Sequence, residues 1–338
     1  MPAADPAPAQ AEFRPRPPWW GGDMQTIRNM FLRRTVGSVA DLAQWSGERL
    51  LLAMGDGSGD RLAAMLHRPA LDWPARPQRL PVILIHGLTG GEDSSYIRAS
   101  AAHLLTRGHP VLRLNLRGTG PSRATCRLQY HAGRSADIAD AIRALPPDLT
   151  RDGVCAVGYS LGGNVLLKLL GEAGRETPIR AAVSVSAPID LARSARRITQ
   201  WRNALYHRWL LARMIAEATA PGGALSEPEK RAATGARTVV EFDDRFVAPR
   251  NGFAGVGDYY ARCSALGFLA GVRVPALVIH ALDDPWIPGA IYREVDWRAN
   301  PALTPLLPAQ GGHVGFHASG DDVAWHDRRI AEFFENAG

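Results

Sequence analysis

Two hydrophobic rhythms run along the chain and predict different elements. Residues 50–53 and 62–66 are apolar runs on either side of Gly55, Asp56, Gly57, Ser58 and Gly59, a pattern that predicts a hairpin. Beyond them come short continuous apolar runs at 81–85, 111–114, 154–158, 181–185, 276–280 and 303–307. Strands covered on both faces have this pattern. Helical spacing lies between the runs, at 94–107, 135–145 and 161–170, and again at 321–334 near the end of the chain. A short helix is predicted over 24–33. Strands alternating with helices require crossover connections, so the fold class is α/β, with a mostly parallel sheet and helices on both faces. The rhythm stops once, between Pro188 and Pro275. There Trp201, Leu205, Trp209, Leu210, Met214 and Ile215 are spaced as on one helix. Because the strand rhythm resumes afterwards, residues 189–274 read as an insertion into a single domain spanning 19–338. Residues 1–18 are rich in Pro and Ala without apolar period, and read as a flexible tail.

Composition narrows the class. Of 338 residues, 46% are hydrophobic and 21% charged, enough apolar material for a large core and too much for a disordered chain. No run approaches the ~18 apolar residues of a membrane-spanning helix, so no integral membrane segment is expected. No signal-peptide pattern opens the chain. Three cysteines, an odd number, do not make a disulfide framework and suggest a reducing, cytoplasmic location. The net charge of +6 raises the question of nucleic acid. However, all basic residues except Lys168 and Lys230 are scattered arginines, with no basic run interleaved with aromatics. No nucleic-acid partner is expected.

The strongest chemical signal is Gly158–Tyr159–Ser160–Leu161–Gly162, between a predicted strand and a predicted helix. Glycines at both ends allow a sharp turn that lifts a serine hydroxyl above the sheet. Serine needs a base to become a nucleophile. His313, in Gly311–Gly312–His313–Val314–Gly315, follows the last apolar run, and its small neighbours leave room for the ring to reach Ser160. His317, four residues on, lacks such neighbours. The acid should end a strand, and residues 276–281 run into Leu282–Asp283–Asp284–Pro285. Adjacent side chains of an extended segment point opposite ways, so one aspartate orients the base and the other serves the turn. Asp284, four residues before Pro288, is the candidate, with Asp283 the alternative. Two backbone N–H groups are candidates for stabilising an oxyanion: that of Leu161, after the serine, and that of Leu88, in His86–Gly87–Leu88–Thr89–Gly90–Gly91. Nothing in the spacing of His, Cys or acidic residues suggests a metal, and no cofactor is expected.

The order and wording of these segments resemble the α/β-hydrolase superfamily, and more narrowly its YheT-like branch of ABHD hydrolases. Trp19–Trp20–Gly21–Gly22–Asp23–Met24–Gln25–Thr26–Ile27 is similar to that branch's N-terminal element, and Asn115–Leu116–Arg117–Gly118 to its N-x-R-G loop. Leu116 stands where many relatives have histidine. Phe242–Asp243–Asp244, Asn251–Gly252–Phe253 and Asp258–Tyr259–Tyr260 follow in the branch's order. The resemblance implies Ser160 as nucleophile, Asp284 as orienting acid and His313 as base. It also implies that the insertion is a helical cap over an apolar acyl pocket. The expected activity is a serine esterase acting on short- to medium-chain acyl esters, small-molecule substrates, through an acyl-enzyme. The alternatives are an acyltransferase using the same triad and a non-catalytic binding protein on the same fold.

Overall fold

The computed structural model describes residues 13–31, 42–69 and 79–336. Eight strands form one sheet: β1 (Gly47–Ala53), β2 (Arg61–His67), β3 (Val82–Ile85), β4 (Val111–Leu114), β5 (Val154–Tyr159), β6 (Ile179–Val185), β7 (Ala276–Ile279) and β8 (Leu303–Leu306). Their order across the sheet is β1-β2-β4-β3-β5-β6-β7-β8. The hairpin strands β1 and β2 pair antiparallel, as do β2 and β4. The other pairs are parallel.

The continuous apolar runs are explained by two separate cores. Along β3, Ile83 and Ile85 join one buried cluster while Val82 and Leu84 join the other. In β5, Ala156 goes to the first and Val157 to the second. Successive strand side chains point to opposite faces, so each run must be apolar throughout. Helices α2 (Ser95–Thr106) and, at the chain's end, α10 (Trp325–Asn336) cover one face with Leu104, Leu105, Ile330 and Phe334. Helices α3 (Ser135–Arg143) and α4 (Leu161–Ala173) cover the other with Ile138, Ile142 and Leu166. Full burial of each such side chain contributes roughly 1.5–3 kcal/mol.

The chain leaves the sheet after β6 and returns at β7 through a helical insertion. It contains α5 (Leu191–Ile198), α6 (Ala204–Ala218), α7 (Glu227–Thr234) and α8 (Val256–Cys263). A π-helical turn, Asp243–Val247, precedes α8. Between β7 and β8 lies α9 (Gly289–Glu294). The apolar stripe predicted from Trp201 onward divides. Leu210 and Met214 are buried, but Trp201 and Leu205 are 90% and 85% exposed. Trp201 lies in a separate 3-10 turn, Trp201–Asn203, ahead of α6, and at the start of α6 it is Tyr206, not Leu205, that faces the body, packing on Trp286 and donating to Asp23 at 3.1 Å.

Two expectations fall partly outside the described residues: positions 1–12 of the tail, and positions 32–33 of the first helix. That helix, α1, spans Gly21–Phe31. The described part of the expected tail is docked. Phe13 is buried against Phe316 and Trp325, and Arg16 N–H donates to the His317 carbonyl at 2.9 Å. Among the described residues, no helix is long and apolar enough to cross a membrane.

Arg117 locks the hairpin to the loop after β4. Its fully buried guanidinium pairs with Asp137 at 2.7 Å, Asp60 at 2.8 Å and Asp56 at 3.0 Å. Burial alone would lower its pKa, but the bonds to Asp137 and Asp60 outweigh that and raise it. Arg117→Met leaves these carboxylates without their cation. It should destabilise the protein by about 3–5 kcal/mol, read as a shift in the urea unfolding midpoint, and an unchanged midpoint would refute the role.

Candidate active site

Ser160 stands where β5 turns into α4. Its backbone lies at φ 50° and ψ −121°, a left-handed region that a non-glycine residue adopts only under constraint. The constraint comes from packing. A Cβ on Gly162 would lie 2.5 Å from the carbonyl oxygens of Ile85 and His86. One on Gly158 would collide with the Gly162 carbonyl. The strand and helix therefore approach closely only with glycine at both positions, and Ser160 takes the strain. Its N–H donates to the Val185 carbonyl at 2.8 Å, fixing the turn to the sheet.

His313 Nε2 lies 3.0 Å from Ser160 Oγ, and its Nδ1 lies 2.8 Å from Asp284 Oδ2. Asp284 is 3% exposed. Its other oxygen accepts N–H groups of Trp286 at 2.8 Å and Ile287 at 3.0 Å. Burial would raise its pKa, but His313 and the Ile287 amide outweigh that and hold it below the ordinary carboxylate value. An ionised Asp284 can only accept, so Nδ1 carries the proton and Nε2 is left to accept from the serine hydroxyl.

Asp283 does something else: its Oδ1 accepts the Gly312 N–H at 2.9 Å and ties down the loop that carries His313. The partner of His317 is Arg28, at 2.7 Å, and the partner of Ser160 is His313. Three further contacts hold the histidine loop. Trp286 stacks on the His313 ring at 4.5 Å, Thr26 Oγ1 accepts the His313 N–H at 2.8 Å, and Gln25 Oε1 accepts the His317 N–H at 2.7 Å. No sequence motif assigns a role to Gln25, Thr26 or Trp286. The available signal was the resemblance at Trp19–Ile27 and the aromatic beside Pro285.

Comparison with known proteins shows the family. A family model described as alpha/beta hydrolase fold matches residues 81–318. The chain belongs to the α/β-hydrolase family. The hydrolase is 33% identical over 247 residues to YheT of Escherichia coli (strain K12), covering 72% of each chain. It is 31% identical over 279 residues to the Saccharomyces cerevisiae protein named medium-chain fatty acid ethyl ester synthase/esterase 2, covering 75% of this chain and 61% of that one. Among solved structures, the Pyrococcus furiosus esterase Pf2001 superposes with a TM-score of 0.58 at 16% identity. That match covers 87% of this hydrolase and 93% of the esterase.

Both backbone donors expected for the oxyanion, Leu88 and Leu161, line one cavity with Ser160 and His313. Leu161 is the first residue of α4, where an N–H has no partner within the helix. Around Leu88, Gly87 N–H donates to Tyr96 Oη at 2.9 Å and Thr89 N–H to Tyr130 Oη at 2.8 Å. The Leu88 N–H between them has no hydrogen-bond partner among the described residues. The cap holds this loop as well. Arg213 of α6 donates to the Thr89 carbonyl at 2.8 Å, and Tyr130 donates to Glu217 at 2.7 Å. His86 is buried, its pKa is pushed down to about 4 by burial, and it accepts the Leu116 N–H at 3.1 Å. Thus the Leu116 backbone makes that contact while its side chain enters the core. Among the described residues, no group of three His, Cys, Asp or Glu side chains is placed to hold a metal ion.

Fluorophosphonate labelling tests the relay without assuming a substrate. Asp284→Asn should slow labelling of Ser160 by about 10³–10⁴-fold, whereas Asp283→Asn should slow it less than about tenfold. Equal effects would remove the distinction between the two aspartates.

Proposed function

We propose that this carboxylic ester hydrolase works through Ser160, His313 and Asp284 on short- to medium-chain acyl esters. The observation that carries the reading is the unbroken hydrogen-bonded series from Asp284 through His313 to Ser160, opening on a cavity. Ser160 attacks the ester carbonyl as its proton passes to His313 Nε2. Negative charge develops on the carbonyl oxygen, where the Leu88 and Leu161 N–H groups act, at roughly 3–4 kcal/mol each. Asp284 stabilises the imidazolium. His313 then protonates the departing alcohol, leaving an acyl-enzyme. Water, deprotonated by His313, attacks that acyl-enzyme and releases the acid.

The cavity supports the substrate class. Its volume is about 850 Å³, and the cap contributes Ile198, Leu210, Met214, Phe242 and Phe246 to its walls. Such walls suit an acyl chain. Relatives point the same way. One Saccharomyces cerevisiae relative, 29% identical over 264 residues, is named a monoacylglycerol lipase; this chain spans 58% of its length. A second reading, acyl transfer to an alcohol, is favoured by the yeast relative named both synthase and esterase. The same acyl-enzyme serves both reactions. A cytoplasmic, reducing location fits Cys126, Cys155 and Cys263, which are buried and unpaired.

The test is hydrolysis of p-nitrophenyl esters from acetyl to palmitoyl, with ethanol added in a parallel series. Activity should peak in the short to medium range and vanish in Ser160→Ala. Full activity in that variant would end the proposal. Ethyl ester among the products would establish transfer, and free acid alone would leave hydrolysis.

A further inference from the structure

Asp243 is a buried carboxyl that the triad does not use. The other deeply buried acids in this protein are well supplied with partners. Asp60 pairs with Arg117 and accepts two backbone N–H groups. Glu92 holds Arg49 and Asn115. Asp284 has His313 and two amides. Asp243 is 8% exposed, and its side chain makes one hydrogen bond among the described residues, accepted from Tyr260 Oη at 2.6 Å. No cation pairs with it among those residues. A carboxylate offers about four acceptor positions, so most of its capacity is unfilled. Its free oxygen is not one of the buried, partnerless side-chain atoms of the described residues, so it is reachable from the cavity rather than sealed in the core.

Its position gives that capacity a use. Asp243 and Tyr260 both line the cavity that contains Ser160. Phe242 and Phe246, on either side in sequence, belong to the apolar cluster of the cap, while Tyr260 belongs to the same buried cluster as Leu161, the residue after Ser160. Asp243 also opens the π-helical turn, a backbone irregularity that often marks functional positions.

We propose that Asp243 and Tyr260 form a hydroxyl-binding subsite of the substrate cavity, so that the preferred ester carries a free hydroxyl away from the scissile bond. The inference rests on the ester-hydrolase reading of Ser160. Burial pushes the Asp243 carboxyl up to about 7, against the lowering effect of Tyr260. A hydroxyl suits such a group in either form, because it donates to a carboxylate and accepts from a carboxylic acid. The Tyr260 oxygen is a second acceptor beside it. A cationic substrate group would have to shed its water among apolar walls, and an anionic one would be repelled once Asp243 ionises. The hydroxyl can reside on the acyl chain or on the alcohol, and matched ester pairs separate the two.

The experiment compares kcat/KM for p-nitrophenyl hexanoate against its ω-hydroxy analogue, and for ethyl hexanoate against the glycerol monoester of hexanoate. The wild-type protein, Asp243→Leu and Tyr260→Phe are each measured, with Ser160→Ala as the blank. The wild type should favour the hydroxyl-bearing member of one pair by about tenfold or more. Both variants should bring that ratio towards one, whatever happens to their absolute rates. The pair that shows the preference identifies which side of the ester carries the hydroxyl. Absence of a preference in both pairs overturns the subsite and leaves the esterase standing, as does a preference that survives both substitutions. If no plain ester is turned over by Ser160, the esterase reading falls and the subsite falls with it.

Discussion

The close approach of β5 and α4 is the constraint on which the site depends. Only glycine at 158 and 162 lets the helix begin against the carbonyls of Ile85 and His86. That approach drives Ser160 to a positive φ. It also leaves the first N–H groups of α4 beside the serine and brings the loop after β3 alongside it. The placements of Ser160 and of the N–H groups proposed to serve an oxyanion are thus consequences of one packing event. The strain of order 1–3 kcal/mol at such a residue is borne by the sheet, whose central strands are buried on both faces.

The second requirement is electrostatic. A buried Asp284 stays ionised only because His313 and backbone N–H groups surround it, and that charge fixes which histidine nitrogen holds the proton. The ring must also stay in place. Trp286 stacks on it, Thr26 and Asp283 hold its loop, and α1 supplies Gln25. The cap makes a comparable contribution on the opposite side of the serine, where Arg213 and the Tyr130–Glu217 pair hold Thr89. Asp243 differs from the other buried acids, because its carboxyl has a single hydrogen bond, from Tyr260, and lies on the cavity wall, which is why it reads as a place for substrate.

Local patterns were the legible part. Apolar runs such as 81–85 and 154–158 announced strands because burial on both faces demands it, and Gly158–Gly162 announced the turn because few residues tolerate it. The chain order of serine, acid and histidine followed from the same local segments. Contacts between distant segments were not legible. Nothing local at Thr26 says that it will cap the backbone of His313, 287 positions away. The stripe from Trp201 onward shows periodicity but not that a 3-10 turn interrupts it or which positions face the body, so Trp201 and Leu205 pattern with the buried Leu210. Asp243 stands out in the sequence only through the family resemblance of Phe242–Asp243–Asp244, and its shortage of partners is legible only in the assembled cavity.

The central claim is that the acyl group rests on Ser160 during turnover. Rapid acid quenching of the wild-type protein with p-nitrophenyl hexanoate, followed by peptide mass mapping, measures this directly. The account predicts a hexanoyl adduct on the peptide containing Ser160, formed in step with the p-nitrophenol burst. A hexanoyl adduct on a different residue, or turnover with no adduct at any quench time, would contradict it.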